Sequence, residues 1–218
     1  MLRKHSGTAL LILVTSVLAP APLFANNAES IGTLVTTMGA VAVRSASGET
    51  RSVQRRGQLF AGDTVVVGTK GFASVRMRDN AHISLGSDTE FTFEKYSYDA
   101  NPATRDSVVM NLVRGCFRTV VGSVGSAKRD TYRIDTAIAS IGIDGAYHGA
   151  AIVGDRLYTG TWDGATVITN AGGSLSLGEY GDYDFSRTYP GTAPEGLSSQ
   201  LPALDCAPPH SLDLEDVN

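Results

Sequence analysis

Asp144, Tyr147 and His148 form the one arrangement in this sequence that suggests acid–base chemistry. A histidine titrates near neutral pH and can carry a proton or bind a metal, and a carboxylate four positions away can orient it. The other reading is a structural or solvent-facing histidine in a glycine-rich turn. Nothing nearby completes a catalytic set. The chain has no Gly-x-Ser-x-Gly elbow, no phosphate loop, no dinucleotide glycine fingerprint and no His-Glu-x-x-His. His82 and His210 are isolated in sequence, and Asp182 with Asp184 lacks the spaced partners a Ca²⁺ site requires. The expectation is a protein with no catalytic residue, no metal and no cofactor.

The arginines suggest binding instead. Val75 and Met77 alternate with Arg76 and Arg78, so a strand here puts both guanidinium groups on one face. Such a pair grips a carboxylate or phosphate bidentately, or serves only to protect a sheet edge. Arg51, Arg55 and Arg56 lie in a polar loop, either an anion-contacting edge or a solvated charge run. In the stretch Phe91 to Asp99, strict alternation puts Phe91, Phe93, Lys95 and Ser97 on one side and Thr92, Glu94, Tyr96 and Tyr98 on the other. Tyr180, Tyr183, Phe185 and Tyr189 suit a sugar or peptide ligand, or form a lid over a β core.

The elements that position these groups are strands. The first 25 residues read as an export signal: Arg3 and Lys4, an apolar run of 12 residues from Thr8 to Ala19, and cleavage after Ala25. A membrane span needs about 20 apolar residues, which leaves an uncleaved anchor as the alternative. Without Arg3 and Lys4 the chain holds 16 basic against 22 acidic residues, a balance of −6 that argues against nucleic acid. Membrane contact is then expected only through the export signal. The chain is rich in Gly, Thr, Ser and Val, no amphipathic helix stands out, and one domain is expected over residues 26–181 with a tail at 182–218. Cys116 and Cys206, in an exported chain, suggest one disulfide tying the tail to a central strand; two unpaired thiols are the alternative. Glu29 to Val43 reads as a strand pair broken at Gly39. Residues 73–86 and 165–178 superpose without a gap as strand, turn, strand, each ending Ser-Leu-Gly. The fold expected is all-β, a short β-solenoid or stacked β-hairpins, with a β-sandwich as the alternative.

The centre of the chain also resembles a known family. Leu112, Gly115, Phe117 and Arg118, a turn at Gly122, Thr136 to Ala139, and Ile141-Gly142-Ile143-Asp144-Gly145 resemble the periplasmic domain of FecR-type proteins. Gly57, Leu59, Gly62-Asp63, Thr69, Val75, Asp79, Ile83 and Leu85 look like its first half, so the resemblance runs from Gly57 to Gly181. One turn departs from the pattern: Asp144-Gly145-Ala146 stands where the family usually has Arg-Gly-Thr. The resemblance implies a non-enzymatic module of the kind found in membrane regulators, which relay the state of an outer-membrane siderophore receptor to a sigma factor. An export signal at the start leaves no cytoplasmic anti-sigma segment, so the expectation is a stand-alone exported form, periplasmic or secreted. It would contact an envelope protein or peptidoglycan, with Arg76, Arg78, Asp144 and His148 as candidate binding residues. A cell-envelope scaffold is the alternative, and an enzyme centred on Asp144 and His148 the third reading.

Overall fold

The structure, a computed structural model, describes residues 29–53, 55–99, 106–127, 131–204 and 206. The stretch expected to be an export signal, His210 and the last residues of the tail lie outside them. In chain order the strands are β1 (Gly32–Met38), β2 (Val41–Arg44), β3 (Thr50–Ser52), β4 (Gln58–Leu59), β5 (Thr64–Val67), β6 (Phe72–Met77), β7 (His82–Leu85), β8 (Glu90–Ser97) and β9 (Ser107–Val120). A helical turn, α1 (Ser123–Ala127), follows. Then come β10 (Tyr132–Asp135), β11 (Ser140–Val153), β12 (Arg156–Asn170), β13 (Gly173–Gly178), β14 (Phe185–Thr188), β15 (Glu195–Leu197) and a 3-10 turn at Pro202–Leu204. The protein is nearly all β, as its composition implies.

All fifteen strands belong to one sheet, which divides into two arms around a single core. One arm runs β4–β1–β6–β7 and on through β9, β11 and β12 to β14–β15, and the other β3–β2–β5–β8 and on through β9, β10, β11 and β12 to β13. Early in the chain successive segments alternate between the arms, and this overturns one expectation. β1 and β2 are consecutive strands but not a pair, because the turn at Gly39 carries the chain from one arm to the other.

Three long strands join the arms. Along β9, the first residues pair with β8 and β10, while Gly115–Val120 pair with β11 and, from Phe117, with β7. The change of partner falls at Gly115, whose φ is 81° and where a Cβ would lie 2.4 Å from Thr89 Oγ1, so glycine is required. β11 makes the same transition at a bulge between Asp144 and Tyr147. β12 pairs with β14 near its start and with β13 near its end. Every pairing is antiparallel except β9 with β10.

Apolar side chains from both arms meet in one core: Leu34, Val75 and Leu85 from the first, Val43, Val65 and Phe91 from the second, Phe117 and Ile141 from the shared strands. Phe91 packs against Phe93 and Phe117 with ring centroids 5.3 Å apart in each pair. The strict alternation expected for β8 does not hold. A register shift between Thr92 and Lys95 turns Tyr96 toward the core, while Phe91 and Phe93 are buried in it. The two superposable segments are both hairpins, but they sit in different arms. Their registers also differ: Ala73 faces Leu85, whereas Ala165 faces Gly178.

A smaller apolar cluster covers the outer face of β9, β11 and β12. Leu204, Ala151 and Tyr158 form it, with Phe185, Leu197 and Trp162 packed alongside. Cys116 and Cys206 are disulfide-bonded, with Cα atoms 5.9 Å apart, and pin this C-terminal segment in place. A Cβ on Gly86 would lie 2.6 Å from Cys116 Sγ, so that glycine makes the room the bridge occupies.

Candidate functional site

β1 runs between two pairs of arginines that are some twenty positions apart in sequence. On one side, the Arg56 N–H donates to Leu34 O at 2.7 Å and Leu34 N–H donates to Gly57 O at 2.9 Å. On the other, Arg76 is the cross-strand partner of Thr33, and Arg78 N–H donates to Ile31 O at 3.0 Å. Backbone bonds thus place both pairs against one strand. Between them lies an open groove of about 540 Å³, lined by Arg55, Arg56, Arg76 and Arg78 over a floor that includes Gly32, Val35 and Met77. A Cβ on Gly32 would come within 2.9 Å of Arg76 O, so glycine lets β6 approach closely here.

The four charges are unequally satisfied. Arg78 pairs with the Glu29 carboxylate at 2.6 Å, and Arg76 Nη2 donates to Asn80 Oδ1 at 3.1 Å. Arg55 and Arg56 are exposed, and their side chains make no hydrogen bond or ion pair with the described residues. Arg51, from the same loop, has a different role. It is held on the buried carboxylate of Asp63 at 2.6 Å, and Asp63 also accepts from the Phe60 N–H at 3.0 Å, so the Gly62-Asp63 turn is a structural pin.

The turn carrying Arg78 is fixed by Asp79. Its buried carboxylate accepts from Tyr96 Oη at 3.1 Å, Ala81 N–H at 3.3 Å and Val124 N–H at 3.3 Å, the last being a residue of α1. Burial, and then the Asp79 charge, raise the Tyr96 phenol well above its ordinary pKa and keep it a donor.

Asp144 and His148 do not form the pair that their spacing suggests. The bulge in β11 separates them, and His148 enters the core at 1% exposure, edge-on to Phe117 and Tyr132 with centroids 5.8 and 6.0 Å away. Neither of its ring nitrogens has a hydrogen-bond partner, and burial lowers its pKa to about 3. The imidazole is therefore neutral at physiological pH and makes no hydrogen bond to Asp144. Asp144 is half-buried opposite Ala165, and neither residue lines the arginine groove.

The aromatic residues of the C-terminal segment are divided in the same way. Phe185 packs inward against Trp162, Tyr189 lies beside Arg156 and Arg187, and Tyr180 and Tyr183 are exposed. Asp184 lines a pocket of about 210 Å³ with Asp163 and Glu179, but no group of three or more metal-ligating side chains is assembled among the described residues.

Sequence reasoning missed one arrangement entirely. Arg118 lies over the rings of Trp162 at 4.1 Å and Tyr147 at 4.8 Å, clasping β9, β11 and β12 on their outer face. These residues come from three separate strands with no shared motif, so no local signal marks them. Arg55 and Arg56 were visible as a charged loop, but only the pairing around β1 brings them to Arg76 and Arg78.

The model of the family described as FecR protein matches residues 63–166. No curated protein matches the chain. Two solved structures of a candidate anti-sigma factor from Parabacteroides distasonis are similar at 15% and 14% identity. Each alignment covers 62% of this chain and 57% of that one, with a TM-score of 0.45, so this chain spans little more than half their length. A cell surface anchoring domain is similar at 27% identity over 28% of this chain and 82% of its own, with a TM-score of 0.28.

Proposed function

From the premise that the chain carries a FecR domain over residues 63–166, we propose that it is a non-enzymatic, signalling-related contact module of the cell envelope. Its working surface is the arginine groove across β1, and its partner is an anionic envelope protein. The observation carrying this reading is the convergence of four arginines on one strand of an acidic protein, with Arg55 and Arg56 left unpaired among the described residues. Unpaired rim charges of this kind steer a partner of opposite sign and set specificity more than stability. The groove crosses the start of the family match: Arg76 and Arg78 lie within it, while β1, Arg55 and Arg56 precede it. A ligand bound here would be particular to this chain as well as to the domain. The Cys116–Cys206 disulfide fits an oxidising compartment, periplasmic or secreted. Among the described residues no helix is long and apolar enough to cross a membrane.

We read the architecture as stacked antiparallel hairpins, since only β9 and β10 run parallel. The sharing of β9, β11 and β12 between the arms also favours a second reading, a rigid spacer in the envelope scaffold. Mild crosslinking in the periplasm, followed by mass spectrometry of what co-purifies, tests both. The expected result is an envelope protein recovered with the native chain and lost from a variant with Arg55, Arg56 and Arg76 all changed to Ala. Equal recovery from both would move the contact to another face. Sedimentation with isolated peptidoglycan, unchanged by the same substitutions, would favour the spacer.

A further inference from the structure

The edge of β1 is open beside cations that have no side-chain partner among the described residues. β4 covers β1 only at Gly32 and Thr33, and the last backbone bonds on that side join Leu34 to Arg56 and Gly57. Val35 stands at a register shift, and from Thr36 to Met38 the strand pairs with β6 alone, so its other edge is open from Val35 on among the described residues. An open edge presents unpaired N–H and C=O groups, which are a template for another strand. β8 has a similar stretch, Glu94–Ser97, which pairs with β9 alone, but it carries Glu94, whose charge opposes an anionic strand; the remaining edges are short or overlaid. β3 and β15 have three residues and β4 two. β13 is overlaid: a Cβ on Gly181 would lie 2.0 Å from Ser176 O, and one on Gly172 2.3 Å from the Thr192 carbonyl carbon.

Charge says what would add to this edge. Arg55 and Arg56 stand where the cover of β4 ends, and Arg76 stands on the opposite bank. At one end the groove already holds a carboxylate, that of Glu29 on Arg78 at 2.6 Å. Val35, 36% exposed, offers an apolar contact beside these charges. A strand with alternating acidic and apolar side chains matches both features, because its backbone completes the ladder while its carboxylates meet guanidinium groups bidentately.

We propose, resting on the reading of this groove as the contact surface, that the occupant is an extended acidic peptide segment of a partner protein. It adds as a strand to β1 along Val35–Met38, with its carboxylates on Arg55 and Arg56. The test is fluorescence anisotropy of the full exported protein with a fluorescein-labelled hexapeptide of alternating Glu and Val. Three further probes accompany it: its Lys and Val counterpart, two versions N-methylated on alternate peptide nitrogens in either phase, and short-chain polyphosphate. The acidic peptide is expected to bind and the lysine peptide not to. At least one N-methylated version should bind about tenfold or more weaker, and Arg55→Ala with Arg56→Ala should weaken the parent peptide by a similar factor. If both N-methylated versions bind like the parent while the arginine variant loses affinity, strand addition is overturned and the anionic contact stands. Polyphosphate binding without peptide binding overturns the peptide as occupant and leaves an anion-binding groove. Peptide binding that ignores the arginines, or no binding by any anionic probe, overturns the groove itself.

Discussion

Over β9, β11 and β12 the outer face of the sheet is roofed by the C-terminal segment, with Leu204 buried to 1% exposure and Cys206 bonded to Cys116. Over β1 and β6, within the same arm, Thr33, Val35 and Arg76 remain at the surface beside a groove. The roofed region carries groups suited to being dry: an apolar cluster, an arginine laid over two adjoining rings, and a neutral histidine beneath the sheet. The bare region carries four arginines, two of which, Arg55 and Arg56, have no side-chain partner among the described residues. Where the chain supplies its own cover the surface contributes to stability, and where it does not the surface is available for recognition.

Four measurements sharpen or break that division. The largest effect is expected from reducing the disulfide, or from Cys116→Ser with Cys206→Ser. A loop of 90 residues is released, and the chain-entropy model gives a loss of about 4 to 5 kcal/mol, read by urea denaturation. While the protein stays folded, affinity at the groove should not change. If it falls, the two regions are not independent.

Acidification comes next. His148 has a folded pKa of about 3 against an ordinary 6.5, so the unfolded chain takes up a proton there that the folded chain refuses. Stability is therefore complete above pH 6.5 and declines as the pH falls toward 3, by about 3 kcal/mol at pH 4. His148→Leu should remove this part of the pH slope; an unchanged slope would mean that the imidazole is not held dry. Asp79→Ala follows, at about 2 to 3 kcal/mol, since the Tyr96, Ala81 and Val124 donors lose their acceptor. Because Asp79 fixes the turn bearing Arg78, this substitution alone should affect both stability and groove binding. The smallest stability effect belongs to Arg55→Ala with Arg56→Ala, within about 0.5 kcal/mol by thermal melting. A larger loss would show that these side chains support the fold.

Local patterns were legible in the sequence where one side chain's environment follows from its neighbours. Val75 and Met77 point inward and Arg76 outward, as the period-two pattern requires, and the two cysteines meet. Features decided by distant partners were not. The bulge that turns Tyr96 inward leaves no mark on alternation, and the equivalence of the two hairpins fails by one position of register. Asp144 and His148 have a helix-like spacing that means little on a bulged strand. The groove depends on β1 pairing with residues from both flanks, and no window of sequence contains that fact.

Gly115 marks where β9 leaves one set of neighbours for another, and β11 and β12 make the same passage beside it. Mechanically these three strands are beams held at both ends. A pull on β1 is carried sideways through β6 and β7 into β9 and loads whole ladders along their length, which must slide rather than peel. A partner bound at the groove would be coupled, through strand ladders among the described residues, to the end stapled by the disulfide.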